Sequence, residues 1–69
     1  MVEVFKTNVR SIRKAKLIIQ KLAEEYPAYK INFDLSDCDK ILRVQGKNIL
    51  ENKIISIVTA LNCTCKILE

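Results

Sequence analysis

An α+β sandwich with the element order βαββαβ follows from three features of this sequence. The hydrophobic period switches between two and three-to-four along the chain, as it does when strands and helices alternate. Turn-forming residues fall at the switches, at Pro27, at Ser36 to Lys40, at Gly46 to Asn48 and at Asn62. The 69 residues make one domain, residues 1–69, and their 49% hydrophobic content is enough to give so short a chain a core.

Residues 2–7 begin the chain as a short strand, with Val2 and Val4 set against Glu3 and with Phe5 on the second face. The period then lengthens. Ile12, Ala15, Ile19, Leu22 and Tyr26 recur at steps of three and four, with Ile18 beside them, and form one apolar helical stripe. Asn8 is expected to cap this helix by accepting from an amide of its first turn, and Ser11 to be a first-turn hydroxyl. Pro27 ends the helix at or just before Tyr26.

From Tyr29 the period is two: Tyr29, Ile31, Phe33 and Leu35 alternate with Lys30, Asn32, Asp34 and Ser36. The polar run from Ser36 to Lys40 is a hairpin turn, and Ile41 to Gln45 returns as a strand with Leu42 and Val44 inward. A second helix spans about Leu50 to Leu61, with Ile54, Ile55, Val58 and Leu61 toward the core and with Asn48 and Asn52 as partial cap signals. Asn62 stops it in the left-handed conformation, and residues 63–68 close the sheet. Right-handed crossovers place both helices on one face of a four-stranded antiparallel sheet, the ferredoxin-like sandwich. In that arrangement Asn8, Ser11, Cys38 and Cys63 come to one end of the domain.

The charge is uneven. Of twelve basic residues, six lie within residues 1–23 against Glu3 alone, a net +5, whereas the remaining segment carries six basic and seven acidic groups, a net −1. Such asymmetry points to an anionic partner for the first helix.

Several chemistries find no support in the residues. The sequence has no histidine, the commonest general base, and its single glycine does not make a phosphate-cradling loop. The loop around Asp34, Asp37 and Asp39 lacks the Gly and distal Glu of an EF-hand, and Thr7 to Ser11 lacks an acylphosphatase-type anion motif, so no enzyme activity is expected. Nucleic-acid binding through the basic first helix is a further alternative, but the aromatic strand motifs of RNA-recognition modules are absent; Phe5 is the one aromatic that falls on the open sheet face in this assignment. Met1 opens onto Val2-Glu3-Val4-Phe5-Lys6, so no secretory signal is expected, and the longest apolar run, Leu17-Ile18-Ile19, is far too short for a membrane span. Three cysteines, Cys38, Cys63 and Cys65, make a poor disulfide framework and fit reduced thiols in a cytoplasm, where the sequon Asn62-Cys63-Thr64 has no role.

In length, element order and core pattern the whole chain resembles the heavy-metal-associated domain of copper chaperones and metal-transporting ATPases. That family carries a GMxCxxC loop between its first strand and first helix. Aligning the helical stripe puts Lys6 on the family's methionine and Asn8 and Ser11 on its two cysteines; Asn62, Cys63, Cys65 and Ile67 match its C-terminal pattern. An amide and a hydroxyl do not replace the thiolate pair that holds Cu(I), so neither a metal nor another cofactor is expected in this loop. By position, Arg10, Arg13 and Lys14 correspond to basic residues that dock such chaperones on acidic partners. The resemblance therefore implies a non-catalytic interaction domain that has lost its metal site. One alternative is a soft-metal carrier of the Cu(I) type with a relocated site at Cys38 and Cys63. The long edge strand starting at Tyr29 also leaves a homodimer open.

Overall fold

The computed structural model describes residues 1–36 and 40–68. The elements run β1 (Val2–Thr7), α1 (Ile12–Glu25), β2 (Lys30–Asp34), β3 (Ile41–Gln45), α2 (Glu51–Ala60) and β4 (Cys65–Ile67). The four strands form one antiparallel sheet in the order β2-β3-β1-β4. This is an α+β architecture of the kind expected, compatible with a ferredoxin-like fold.

Residues opposite one another in antiparallel strands share a face, so the register fixes which side chains meet the helices. Phe5 lies opposite both Leu42 and Ile67, Phe33 lies opposite Leu42, and Ile31 lies opposite Val44. Phe5, Leu42 and Val44 are fully buried and join Ala15, Ile18 and Leu22 of α1 and Ile54 and Val58 of α2 in one core. Tyr29, Ile31, Phe33 and Leu35 pack against it from the β2 side, as their alternation predicts.

Two expectations need correction. Phe5 is on the helix-covered face with Glu3 and Thr7, and Val2 and Val4 are on the open one; Val2 stays 50% exposed. With apolar residues on both sides of this strand, alternation alone does not choose the inner face, and the largest side chain takes it. In α1 the buried residues are Ala15, Ile18 and Leu22, while Ile12 is 66% exposed and Ile19 is partly covered. The stripe is therefore centred on Ile18, not beside it.

The turns are fixed by specific bonds. Tyr26 ends α1 with its amide on the Leu22 carbonyl at 2.8 Å, just before Pro27. Asn62 follows α2 with φ 64°, the left-handed stop expected of it. Neither Asn48 nor Asn52 caps α2: Asn48 is left-handed at φ 51°, and the helix begins after Leu50 with no side-chain cap. Instead the Tyr29 hydroxyl donates to the Asn48 carbonyl at 2.9 Å and accepts from the Leu50 amide at 3.1 Å. The Tyr29 ring stacks on Tyr26 with centroids 5.0 Å apart. It also leaves no room at Gly46, where a β-carbon would lie 2.7 Å from Tyr29 Cδ1.

Candidate functional site

At one end of the sheet, the segment joining β1 to α1 meets the start of β3 and the segment before β4. Thr7, buried at the end of β1, donates its hydroxyl to the Lys40 carbonyl at 2.6 Å and accepts from the Val9 amide at 3.2 Å. Asn8 Oδ1 accepts from the Thr64 amide at 2.9 Å, across 56 residues of sequence. These two side chains hold the three segments together, so the expected clustering of Asn8, Ser11 and Cys63 holds. Cys38 lies outside the described residues, and with it the Cys38–Cys63 pairing.

The role expected of Asn8 needs correction. The α1 cap is Ser11, whose extended backbone (φ −105°, ψ 133°) lets Oγ accept from the Lys14 amide at 3.4 Å. The helix starts three residues later than an Asn8 cap requires, and the asparagine is a tether to the other loop. Ser11 and Asn8 thus carry two structural jobs: one caps, one ties.

Beside this tether runs an open groove of about 740 Å³ along the first turns of α1. Val9, Leu17 and Cys63 give it an apolar lining, and Asn8, Ser11, Gln20 and Asn62 contribute polar groups. Four cations, Arg10, Arg13, Lys14 and Lys16, line it as well, and among the described residues no carboxylate does. All three proposed docking residues, Arg10, Arg13 and Lys14, are therefore brought together. Sequence reasoning missed Lys16, Leu17 and Gln20. The signal was present in Arg13, Leu17 and Gln20, which recur at four and three residues on the side of α1 away from the core stripe. Leu17 is an apolar residue on that outer stripe.

The charges of α1 run against its own dipole. No acidic residue lies in the first turn and no basic one in the last, where Glu24 and Glu25 sit. Cations at a helix N-terminus and carboxylates at its C-terminus each cost a few tenths of a kcal/mol at exposed sites, roughly 0.3–1. Local stability alone does not select this arrangement.

The two described thiols are both buried and free of disulfide bonds. Burial pushes the Cys65 thiol up to about 11, so it stays protonated at neutral pH and is a core residue. A buried neutral thiol that ionises readily once unfolded stabilises the fold fully below the unfolded value near 9.0, and that contribution is lost as pH rises toward about 11. The native protein is therefore expected to lose stability over this window, by up to about 1.4 kcal/mol per pH unit from this group. Urea denaturation at several pH values checks it: Cys65→Ala should flatten the slope between pH 9 and 11, and an unaltered slope would remove the assignment.

Among the described residues no group of three histidine, cysteine or acidic side chains is placed to hold a metal ion. No described helix is long and apolar enough to cross a membrane. No protein-family model, no curated protein and no solved structure matches this chain.

Proposed function

We propose that this domain is a non-catalytic docking module, a ferredoxin-like sandwich of heavy-metal-associated type without a thiolate pair in its first loop. Its partner is an acidic protein, bound in the groove beside α1. The observation that carries this assignment is the groove itself: four cations border an apolar strip, with no carboxylate among the described lining residues. A surface of one charge sign steers an oppositely charged partner and fixes its orientation, while apolar burial supplies the affinity. The inverted charge pattern of α1 supports the same assignment, because an anionic partner offsets the unfavourable cations at the helix start. The sheet order and the clustering of the Asn8 and Cys63 segments support the family-type fold.

Asn8 and Ser11 offer a neutral amide and a hydroxyl, each already engaged in a backbone bond, in place of metal-binding thiolates. The docking role thus survives without the transfer chemistry, and a cytoplasmic, reduced setting suits the free thiols.

Amide chemical shifts measured during titration with a peptide of alternating Glu and Leu test this assignment. Shifts are expected at Arg10 to Leu17 and at Cys63, weakening with added salt. Reversing Arg13 and Lys14 to Glu is expected to weaken binding by about tenfold or more. Equal affinity of the reversed variant, or shifts confined to other surfaces, would overturn the assignment.

A further inference from the structure

The edge of the sheet at β2 has a property that the groove does not explain. This strand pairs with β3 on one side only, so among the described residues its outer edge has no neighbouring strand. Exposed edges invite further pairing, and most are blunted by bulges or by charge. Here the strand reads Lys30-Ile31-Asn32-Phe33-Asp34, with a cation at its start and an anion at its end.

That pattern is self-complementary in one register. Two antiparallel copies centred on Asn32 set Lys30 of each opposite Asp34 of the other, and Asn32 opposite Asn32. The same register sets Ile31 opposite Phe33 on the helix-covered face, so the apolar row continues from one core into the next. A parallel pair would instead place Lys30 beside Lys30 and Asp34 beside Asp34. A slip of one residue would put apolar and polar side chains on one face. Charge and pleat select the same arrangement.

The helix layer supplies a second, separate observation. Ile12, Ile19, Phe33 and Leu35 border a shallow groove between α1 and β2, with Lys16 on its wall. Ile12 projects 66% exposed at this site, the most exposed large apolar residue of either helix. Ile31, Phe33 and Leu35 are only partly covered, because the core layer ends at this rim.

We infer that β2 is a self-pairing edge through which two copies of this chain form a two-fold dimer, with strands antiparallel about Asn32 and Ile12 of each copy covering the neighbouring rim. Such an isologous contact closes on itself and so stops at two subunits. It merges two four-stranded sheets into one and leaves the Arg13 groove open on each copy.

Sedimentation of the intact chain, followed across concentration, reads this directly. The native protein is expected to approach twice its 7.9 kDa chain mass. Lys30→Asp and Asp34→Lys are each expected to remain folded by circular dichroism but monomeric, because each places like charges across both ends of the interface. Mixing the two variants is expected to restore a dimer containing one of each. Ile12→Ser changes only an exposed side chain and is expected to raise the dissociation constant about tenfold without touching the strand. A native chain that stays at 7.9 kDa up to about 1 mM would overturn the inference. So would a dimer indifferent to both Ile12→Ser and the charge variants, which would mean that a different surface pairs.

Discussion

Phe5→Ala is expected to cost about 3–5 kcal/mol, the range for deleting a fully buried aromatic side chain. A domain of this size has a total stability of roughly 3–10 kcal/mol, so this one change is expected to leave much of the population unfolded at 25 °C. The size of the loss follows from position. Phe5 has no exposure and sits in the central strand β1, opposite Leu42 on one neighbour and Ile67 on the other. Removing the ring opens a void between the sheet and the helices, and neither strand flanking β1 moves in to fill it without breaking strand pairing. Val4→Ala, one residue away on the open face, is expected to cost under about 1 kcal/mol. Urea melts of the two variants separate the cases. Equal losses would mean that the two faces of β1 are wrongly assigned.

Gly46→Ala is expected to cost about 2–3 kcal/mol, although it adds a single methyl group outside the core. The strain does not come from the glycine's backbone, whose φ is not in the left-handed region. It comes from the ring of Tyr29, whose Cδ1 and Cε1 would lie 2.7 and 3.2 Å from the new β-carbon. The ring has little freedom to retreat. It stacks on Tyr26, and its hydroxyl bonds both the Asn48 carbonyl and the Leu50 amide at the start of α2. A shift that relieves the clash therefore loosens the approach to that helix, which has no side-chain cap of its own. Tyr29→Phe keeps the ring and loses only the hydroxyl contacts, so about 1 kcal/mol is expected for it. Pairing Gly46→Ala with Tyr29→Ala should recover part of the glycine cost, and thermal melts of this cycle would show an additive result if no contact exists.

The element order was legible because each switch of period coincides with a turn residue whose chemistry names the turn. Pro27 and Asn62 are the clearest instances: both stand where the structure ends a helix. The strand from Lys30 to Asp34 was legible too, since its two faces differ sharply in polarity. Val2 to Thr7 was legible as a strand, but its inner face was not. Its faces carry Val2 and Val4 on one side and Phe5 on the other, and the single layer of helices leaves the open side free to hold apolar residues. The centre of the α1 stripe shifted for a related reason: Ile12 and Ile19 border the rim at β2, where the sheet has no further strand to cover them.

The candidate site was legible in its charge and not in its bonds. A net +5 in residues 1–23 drew attention to Arg10, Arg13 and Lys14, and the fold brings all three to one groove. The tie from Asn8 to Thr64 spans 56 residues, and local sequence carries no mark of so distant a partner. An asparagine four residues before the helix and a serine one residue before it are both credible caps. Only the length of the linking segment decides between them.

The sheet order also bears on synthesis. Val2–Thr7, which precedes the other three strands of this sheet, is an inner strand, and its two neighbours are β3 at Ile41–Gln45 and β4 at Cys65–Ile67. While the chain leaves the ribosome, the strand bearing Phe5 has no partner on either edge until residues 8–40, which separate β1 from β3, have followed. Its second edge stays open until Cys65 to Ile67 emerge. Long-range pairing of this kind is slow to close and exposes unpaired edges in the meantime. The early segment is guarded by its cations: Lys6 lies within the strand, Arg10, Arg13 and Lys14 follow it, and together they repel other nascent copies. The charge that equips the folded domain to dock thus also protects the unfinished one from sticking.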